Sequence, residues 1–177
     1  MTASGPLARA ESLITVIPDY PSPGIQFRDI TPLLADAAAL RAVTEALIAP
    51  FAGSFDVVAG VEARGFLLAA AAAIAADTGV VPVRKAGKLP RPAAAVDYAL
   101  EYGNATIEVH DDLPRGARVL LVDDVLATGG TLAAAHELFA AVGADVTGTA
   151  VLLELEALGG REVLSRVERD IHTVFRA

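Results

Sequence analysis

A chain of 177 residues fits one domain and can bury roughly 70% of the surface its unfolded form exposes, so neither a disulfide nor a structural metal is required. The absence of cysteine excludes zinc–thiolate sites, redox pairs and thiol nucleophiles together. With 22 acidic against 14 basic residues the net charge is −8, which opposes binding to a polyanion such as DNA but not to small phosphorylated ligands, which need only a few local cations and amides. Residues 1–10 lack a continuous apolar leader, and the apolar stretch 66–76 falls short of the ~20 residues of a membrane span, so a soluble, cytoplasmic protein is expected.

Residues 1–12 are small and polar and predict a frayed or short helical start. Pro18, Pro21, Pro23 and Gly24 forbid a regular helix over 13–28 and predict an irregular surface connection over 17–25. Thr31-Pro32 reads as an N-cap with proline at the first helical position. Asp36 offers a second cap before Leu40, Val43, Leu47 and Ile48, whose spacing predicts an amphipathic helix ending near Pro50. The first core strand is expected over 55–60, followed by an alanine-rich helix over 67–77 with Gly79 as its stop. Residues 80–84 read as a second strand, with Pro82 suggesting an edge or a bulge. Arg84, Lys85, Lys88 and Arg91 then cluster among Gly87, Pro90 and Pro92. Alternation from Ala95 to Val109 around Gly103-Asn104 predicts a two-stranded antiparallel flap. Residues 118–122 read as a strand buried on both faces, 132–142 as a helix stopped by Gly143, 145–155 as a long core strand, 157–168 as a short helix, and 171–175 as a terminal strand.

Strands alternating with helices predict an α/β fold with an open, mostly parallel twisted sheet, whose ligands sit beyond the carboxyl ends of the strands. Loops after Gly60, Arg84 and Val122 would converge there. Gly60 to Gly65 has the spacing of a Walker A loop, but Phe66-Leu67 replaces the required Lys-Ser/Thr, and no G-x-G-x-x-G occurs, so neither a P-loop nor a dinucleotide fold is supported. The most informative stretch is R-V-L-L-V-D-D-V-L-A-T-G-G-T, Arg118 to Thr131. Asp123 and Asp124 stand where its strand should end, and Ala127 to Thr131 lead into a helix. Carboxylates accept from sugar hydroxyls, whereas glycine amides and threonine hydroxyls at a helix start face phosphate. One aspartate would suffice for a helix-capping turn; two, followed by Thr-Gly-Gly-Thr, favour a ribose 5-phosphate site.

This string resembles the motif by which type I phosphoribosyltransferases bind 5-phosphoribosyl-1-diphosphate (PRPP). Taken with G-V-E-A-R-G-F, R-K-A-G-K-L-P and L-E-Y-G in the same order, it resembles the adenine-specific branch of that family, over about residues 21–153. The resemblance implies one domain over 1–177, with a small N-terminal hood at about 13–35 and the flap at about 85–109. It implies transfer of 5-phosphoribosyl from PRPP to N9 of adenine, giving AMP and pyrophosphate in purine salvage, in a homodimer. Asp123 and Asp124 would hold the ribose hydroxyls and Ala127, Thr128, Gly129, Gly130 and Thr131 the 5-phosphate. Glu62, Ala63 and Arg64 would form the pyrophosphate loop, in which a non-proline cis peptide is typical, and Lys88 would reach the pyrophosphate from the flap side.

Glu101 and Tyr102 match the acid and aromatic of the closing flap, with Glu101, Arg64 and Lys88 carrying the catalysis. Gln26, Phe27 and Arg28 would line the adenine, with Val125 on its other face; glutamine replaces a residue that is commonly apolar at position 26. Mg²⁺ is the implied cofactor, bound mainly through PRPP and water near Asp123 and Asp124. His110, His136 and His172 share no ligand spacing and are assigned to no metal. Plainer readings stand beside these: a solvated helix-start cation for Arg64, a charged protective hairpin for Lys88 and Glu101, and a hydrophobic staple for Phe27. A cation at a helix N-terminus opposes the macrodipole, so Arg64 needs another reason to be there. Two alternative functions are another purine or pyrimidine phosphoribosyltransferase, and a PRPP-sensing regulator, which the acidic balance and the matched flap glutamate disfavour.

Overall fold

The computed structural model describes residues 5–100, 103–168 and 170–177. The chain divides into two compact units, Met1–Ala46 and Leu47–Ala177.

The first unit opens with α1 (Pro6–Ser12), as expected of the N-terminal segment. The segment read as irregular then contains two short antiparallel strands, β1 (Thr15–Pro18) and β2 (Gln26–Asp29), in register from Thr15↔Asp29 to Pro18↔Gln26. Every residue of β1 is exposed, so no polar–apolar alternation marks it in the sequence. The connection between the strands is tied by the Gly24 amide donating to Asp19 Oδ1 at 2.7 Å. Helices α2 (Thr31–Ala35) and α3 (Ala37–Ile48) follow. Thr31 does not cap α2. Its amide and hydroxyl both donate to Asp29 Oδ1, at 2.9 and 2.6 Å, so the capping oxygen comes from two residues earlier. Asp36 does cap α3, accepting from the Ala39 amide at 2.9 Å.

In the second unit a seven-stranded sheet runs β5-β6-β4-β3-β7-β8-β9. Its members are β3 (Val57–Val61), β4 (Gly79–Lys85), β5 (Ala94–Leu100), β6 (Gly103–Val109), β7 (Arg118–Leu126), β8 (Asp145–Glu154) and β9 (Ile171–Arg176). Strands β4, β3, β7, β8 and β9 pair parallel, and the β5–β6 hairpin extends β4 antiparallel. The expected open, mostly parallel sheet with an antiparallel flap is therefore present. Pairing in the hairpin continues to Leu100↔Gly103, so Gly103 and Asn104 are strand residues rather than the centre of a turn. Strand β4 lies inside the sheet, yet Pro82 behaves as an edge residue. It pairs with Gly60 on one side, while β6 meets β4 only at Arg84 and Lys85, so the missing N–H interrupts no ladder there.

Two long helices cover the sheet. On one face α5 (Gly130–Ala141) packs Leu132, Leu138 and Phe139 against Val57, Ala59, Val119 and Leu121, each fully buried Leu or Phe contributing roughly 1.5–3 kcal/mol. On the other, α4 (Gly65–Ala75) approaches β3 so closely that a Cβ on Gly60 would lie 2.7 Å from the Ala69 Cβ. Alanine along α4 and glycine in β3 are thus two halves of one contact. Helix α4 is stopped not by Gly79 but by Asp77, just beyond its last turn, whose φ of 55° reverses the chain as the Thr78 amide donates to Ala73 O at 2.9 Å. Gly143, with φ 77°, stops α5 as expected. A 3₁₀ turn at Glu156–Leu158 and the short α6 (Gly160–Leu164) lead to β9. Among the described residues no helix is long and apolar enough to cross a membrane.

Candidate active site

Strand order places the site. From β3 the chain crosses to β4 on one side, whereas from β7 it crosses to β8 on the other, so the loops leaving β3 and β7 part in opposite directions. Such a switch point opens a crevice at the carboxyl ends of two adjacent parallel strands. The loop after β3 carries Glu62, Ala63 and Arg64; the loop after β7 carries Ala127, Thr128 and Gly129. Convergence of the loops after β3, β4 and β7 follows from their adjacency in the sheet.

The acids differ from expectation in one respect. They lie within β7, which continues to Leu126, with Asp123 opposite Val151 and Val125 opposite Leu153 of β8. On the other side, pairing with β3 ends at Gly60↔Val122, so the acids emerge where β3 stops while β8 still holds them. Both are buried. The Asp124 amide donates to Asp123 Oδ1 at 2.8 Å, and burial, reinforced by the charge of Asp124, pushes the Asp123 carboxyl well above the usual carboxylate range. A Cβ on Gly65 would fall 2.9 Å from Asp123 Oδ1 and 3.1 Å from Val122 O. The Gly60–Gly65 spacing that mimics a nucleotide loop therefore serves packing: one glycine admits α4 to β3, the other admits its first turn to the acids.

Arg64 supplies the reason missing from its sequence position. Its Nη2 lies 2.6 Å from Asp124 Oδ2. That carboxylate oxygen is buried and lacks an aligned hydrogen bond, the condition of a group that a hydroxyl or a cation would complete. The Glu62–Ala63 peptide is cis, as the resemblance implies. The carboxylate of Glu62 turns to β4, where its Oε2 accepts from the Lys85 amide at 2.9 Å and Arg84 Nε at 3.3 Å. The Lys85 amide, with the Arg84 guanidinium behind it, holds the Glu62 carboxyl below its usual range. Arg84 also faces the carbonyl of Lys88 at 3.5 Å, while Glu108 Oε2 accepts from the Gly87 amide at 3.1 Å. Arg84, marked in the sequence as part of the basic cluster, and Glu108, not singled out there, thus fasten the turn carrying Lys88. For Glu108 the one signal in the sequence was a charge within the alternating flap segment.

Asp123, Val125, Leu126, Ala127, Thr128, Gly129, Thr131 and Leu132 line one small cavity of about 70 Å³. Gly129, with φ 81°, turns the chain into α5, and Gly130 is the first residue of that helix. Helix α5 is long enough to present free N–H groups and a dipole to this cavity. Phe27 lies in the first unit, half-buried, its ring edge-on to Tyr20 with centroids 5.1 Å apart; Gln26 and Arg28 flank it on β2, Gln26 exposed. Glu101 and Tyr102 lie outside the described residues. His136 Nε2 is 2.9 Å from Thr149 Oγ1, and burial lowers its pKa to about 4. Among the described residues no group of three or more histidine, aspartate or glutamate side chains forms a metal site.

Comparison with known proteins agrees with this geometry. The model of the phosphoribosyl transferase domain matches residues 29–173, and the chain belongs to that family. Among its relatives, the adenine phosphoribosyltransferase of Renibacterium salmoninarum is 65% identical over 156 residues, 88% of this chain and 86% of that protein. The adenine phosphoribosyltransferase of Clavibacter sepedonicus is 56% identical over 175 residues, 98% and 89% of the two chains. Of solved structures, adenine phosphoribosyltransferase from Rhodothermus marinus superposes with a TM-score of 0.90 at 46% identity, covering 97% of this chain and 98% of that one. The Giardia lamblia enzyme complexed with 9-deazaadenine gives 0.92 at 40% identity, covering 98% and 99%.

Proposed function

We propose that this chain transfers the 5-phosphoribosyl group of PRPP to N9 of adenine, releasing pyrophosphate and forming AMP in purine salvage. The observation that carries this reading is the contact between Arg64 and Asp124, which joins a cationic loop after β3 to a pair of sugar-binding acids on β7 at one switch point. Relatives that are adenine phosphoribosyltransferases, one of them 65% identical, support adenine as the base.

Asp123 and Asp124 accept from the ribose hydroxyls, and the amides and hydroxyls from Ala127 to Thr131 take the 5-phosphate, fixing C1′. Arg64 leaves Asp124 for the pyrophosphate, and the ribose hydroxyls take its place on the carboxylate. The side chain of Glu62 stays on β4, leaving its backbone and that of Ala63 to the ligand. Lys88 joins Arg64 in offsetting the charge of the departing pyrophosphate. Glu101 aids proton loss from the base or stabilises the developing ribosyl cation, and closure of the flap with Tyr102 excludes water. Gln26 and Arg28 read the base through their backbone, Phe27 stacks on it, and Val125 packs on its other face.

The buried, incompletely bonded Asp124 Oδ2 suits a neighbouring cation, and Mg²⁺ carried mainly by PRPP and water near Asp123 and Asp124 would neutralise the pyrophosphate. Leu67 and Ile74, 57% and 83% exposed on the apolar outer face of α4, support a homodimer. A cysteine-free chain suits the cytoplasm. The test is incubation with PRPP and Mg²⁺ against adenine, hypoxanthine, guanine, xanthine, uracil and orotate. AMP formation should dominate; preference for any other base overturns the assignment.

A further inference from the structure

Behind the loop from Ala127 to Gly129 the backbone of a second segment is in direct contact with it. A Cβ on Gly160 would stand 2.1 Å from Ala127 O and 2.9 Å from the Gly129 nitrogen; one on Gly129 would stand 2.4 Å from Gly160 O. Two glycines are therefore needed for the two backbones to meet, and Gly159, with φ 67°, turns the chain into that contact.

The next residue anchors the segment. Arg161 Nε donates to Glu154 Oε1 at 2.8 Å and Nη2 to Oε2 at 2.6 Å, a bidentate pair whose carboxylate is 5% exposed. Arg161 also donates to Ile171 O at 3.2 Å and Thr173 Oγ1 at 3.1 Å, and the Thr173 hydroxyl donates to Glu154 Oε2 at 3.1 Å. Glu154 sits at the end of β8, opposite Leu126, and the Leu155 amide donates to Leu126 O at 2.9 Å, so the anchor begins beside the residue from which the loop departs. These bonds use the planar fork of the guanidinium, a geometry that the point charge of a lysine does not reproduce.

We infer that Gly160 and the Glu154–Arg161 pair are positioning residues for the 5-phosphate: they brace the loop from behind so that its amides keep the curvature that fits the anion. No contact between these residues and the ligand is needed. The inference rests on reading Ala127 to Thr131 as the 5-phosphate loop, so the experiment tests the two separately.

Isothermal titration with ribose 5-phosphate and, separately, with magnesium pyrophosphate is applied to Gly160→Ala, Arg161→Ala, Arg161→Lys and Thr131→Val, together with steady-state kinetics. Gly160→Ala should raise the Kd for ribose 5-phosphate and the KM for PRPP about tenfold or more, leaving pyrophosphate affinity and kcat at saturating PRPP within about threefold of wild type. Arg161→Ala, which adds no atom to the contact, should move the same two constants in the same direction, and Arg161→Lys should restore part of the loss. Should Gly160→Ala fail to fold, the two Arg161 variants decide the matter. Wild-type affinity for ribose 5-phosphate in folded Gly160→Ala or Arg161→Ala overturns the brace, as does an equal loss of pyrophosphate affinity, which would mark general damage. Weakened binding in Thr131→Val alone leaves the loop reading intact and sinks the brace; normal binding in Thr131→Val sinks the loop reading itself.

Discussion

The two sides of the crevice are built on different principles. The β7 side is an extension of the core: its acids sit in a buried strand paired with β8, its loop is shaped by Gly129, and a helix filled with buried leucine, alanine and phenylalanine follows directly. The β3–β4 side is held by polar fastenings, with half-buried Glu62 on Arg84 and the Lys85 amide, and buried Glu108 on the Gly87 amide. In the proposed reaction a rigid cradle suits the sugar phosphate, which must stay in place throughout. The opposite side, to which that proposal assigns the leaving group, bears long cationic side chains, and Arg64 already rests on Asp124. On that proposal, anchoring falls to backbone shape and charge release to side chains.

The largest effect should come from the acid that the proposed reaction assigns to the flap. Glu101→Ala is expected to lower kcat on the order of a hundredfold or more with an unchanged melting temperature; near wild-type turnover would remove it from the chemistry. On the cradle side, Asp124→Asn should weaken PRPP binding by roughly tenfold to a hundredfold in calorimetry, the scale of hydrogen bonds to a charged group, and unchanged affinity would break the ribose assignment.

A third expectation separates the sides by stability. His136 lies on α5, on the cradle side, and its pKa is lowered from 6.5 to about 4 by burial. The unfolded chain therefore takes up this proton first as the pH falls, and folding stability declines between those values, by about 2 kcal/mol near pH 5. Chemical denaturation of His136→Gln should lack this decline; the same acid sensitivity in the variant would refute the cause.

The smallest effect belongs to the exposed start of β7, where the Arg118 side chain and amide hold Asp56 from 3.8 down to about 2. Its contribution is present above the ordinary value and lost as the pH falls toward the lower one. Asp56→Asn should change the neutral melting temperature only slightly and remove that part of the acid transition, since exposed pairs are screened by solvent.

Much of this is legible in the sequence. Apolar runs bounded by glycine and charge marked all the parallel strands, and the Asp-Asp and Thr-Gly-Gly-Thr string marked the cradle, because backbone-built sites demand particular residues in unbroken sequence. The β1–β2 pair was not legible, since four exposed residues carry no burial pattern. Nor was the passage of β7 beyond its acids, because a strand's length depends on where each neighbour stops pairing.

The sequence by itself determined an α/β chain with a ribose-phosphate motif, small-residue helices and a charged antiparallel excursion, since periodicity, turn chemistry and motif spacing are local properties. Tertiary structure alone decided that Arg64 meets Asp124, that Glu62 turns away to β4, that Gly65 makes room for Asp123, and that Gly160 stands behind Gly129. Those contacts join residues separated by tens of positions, and only the order of strands in the sheet brings them within reach.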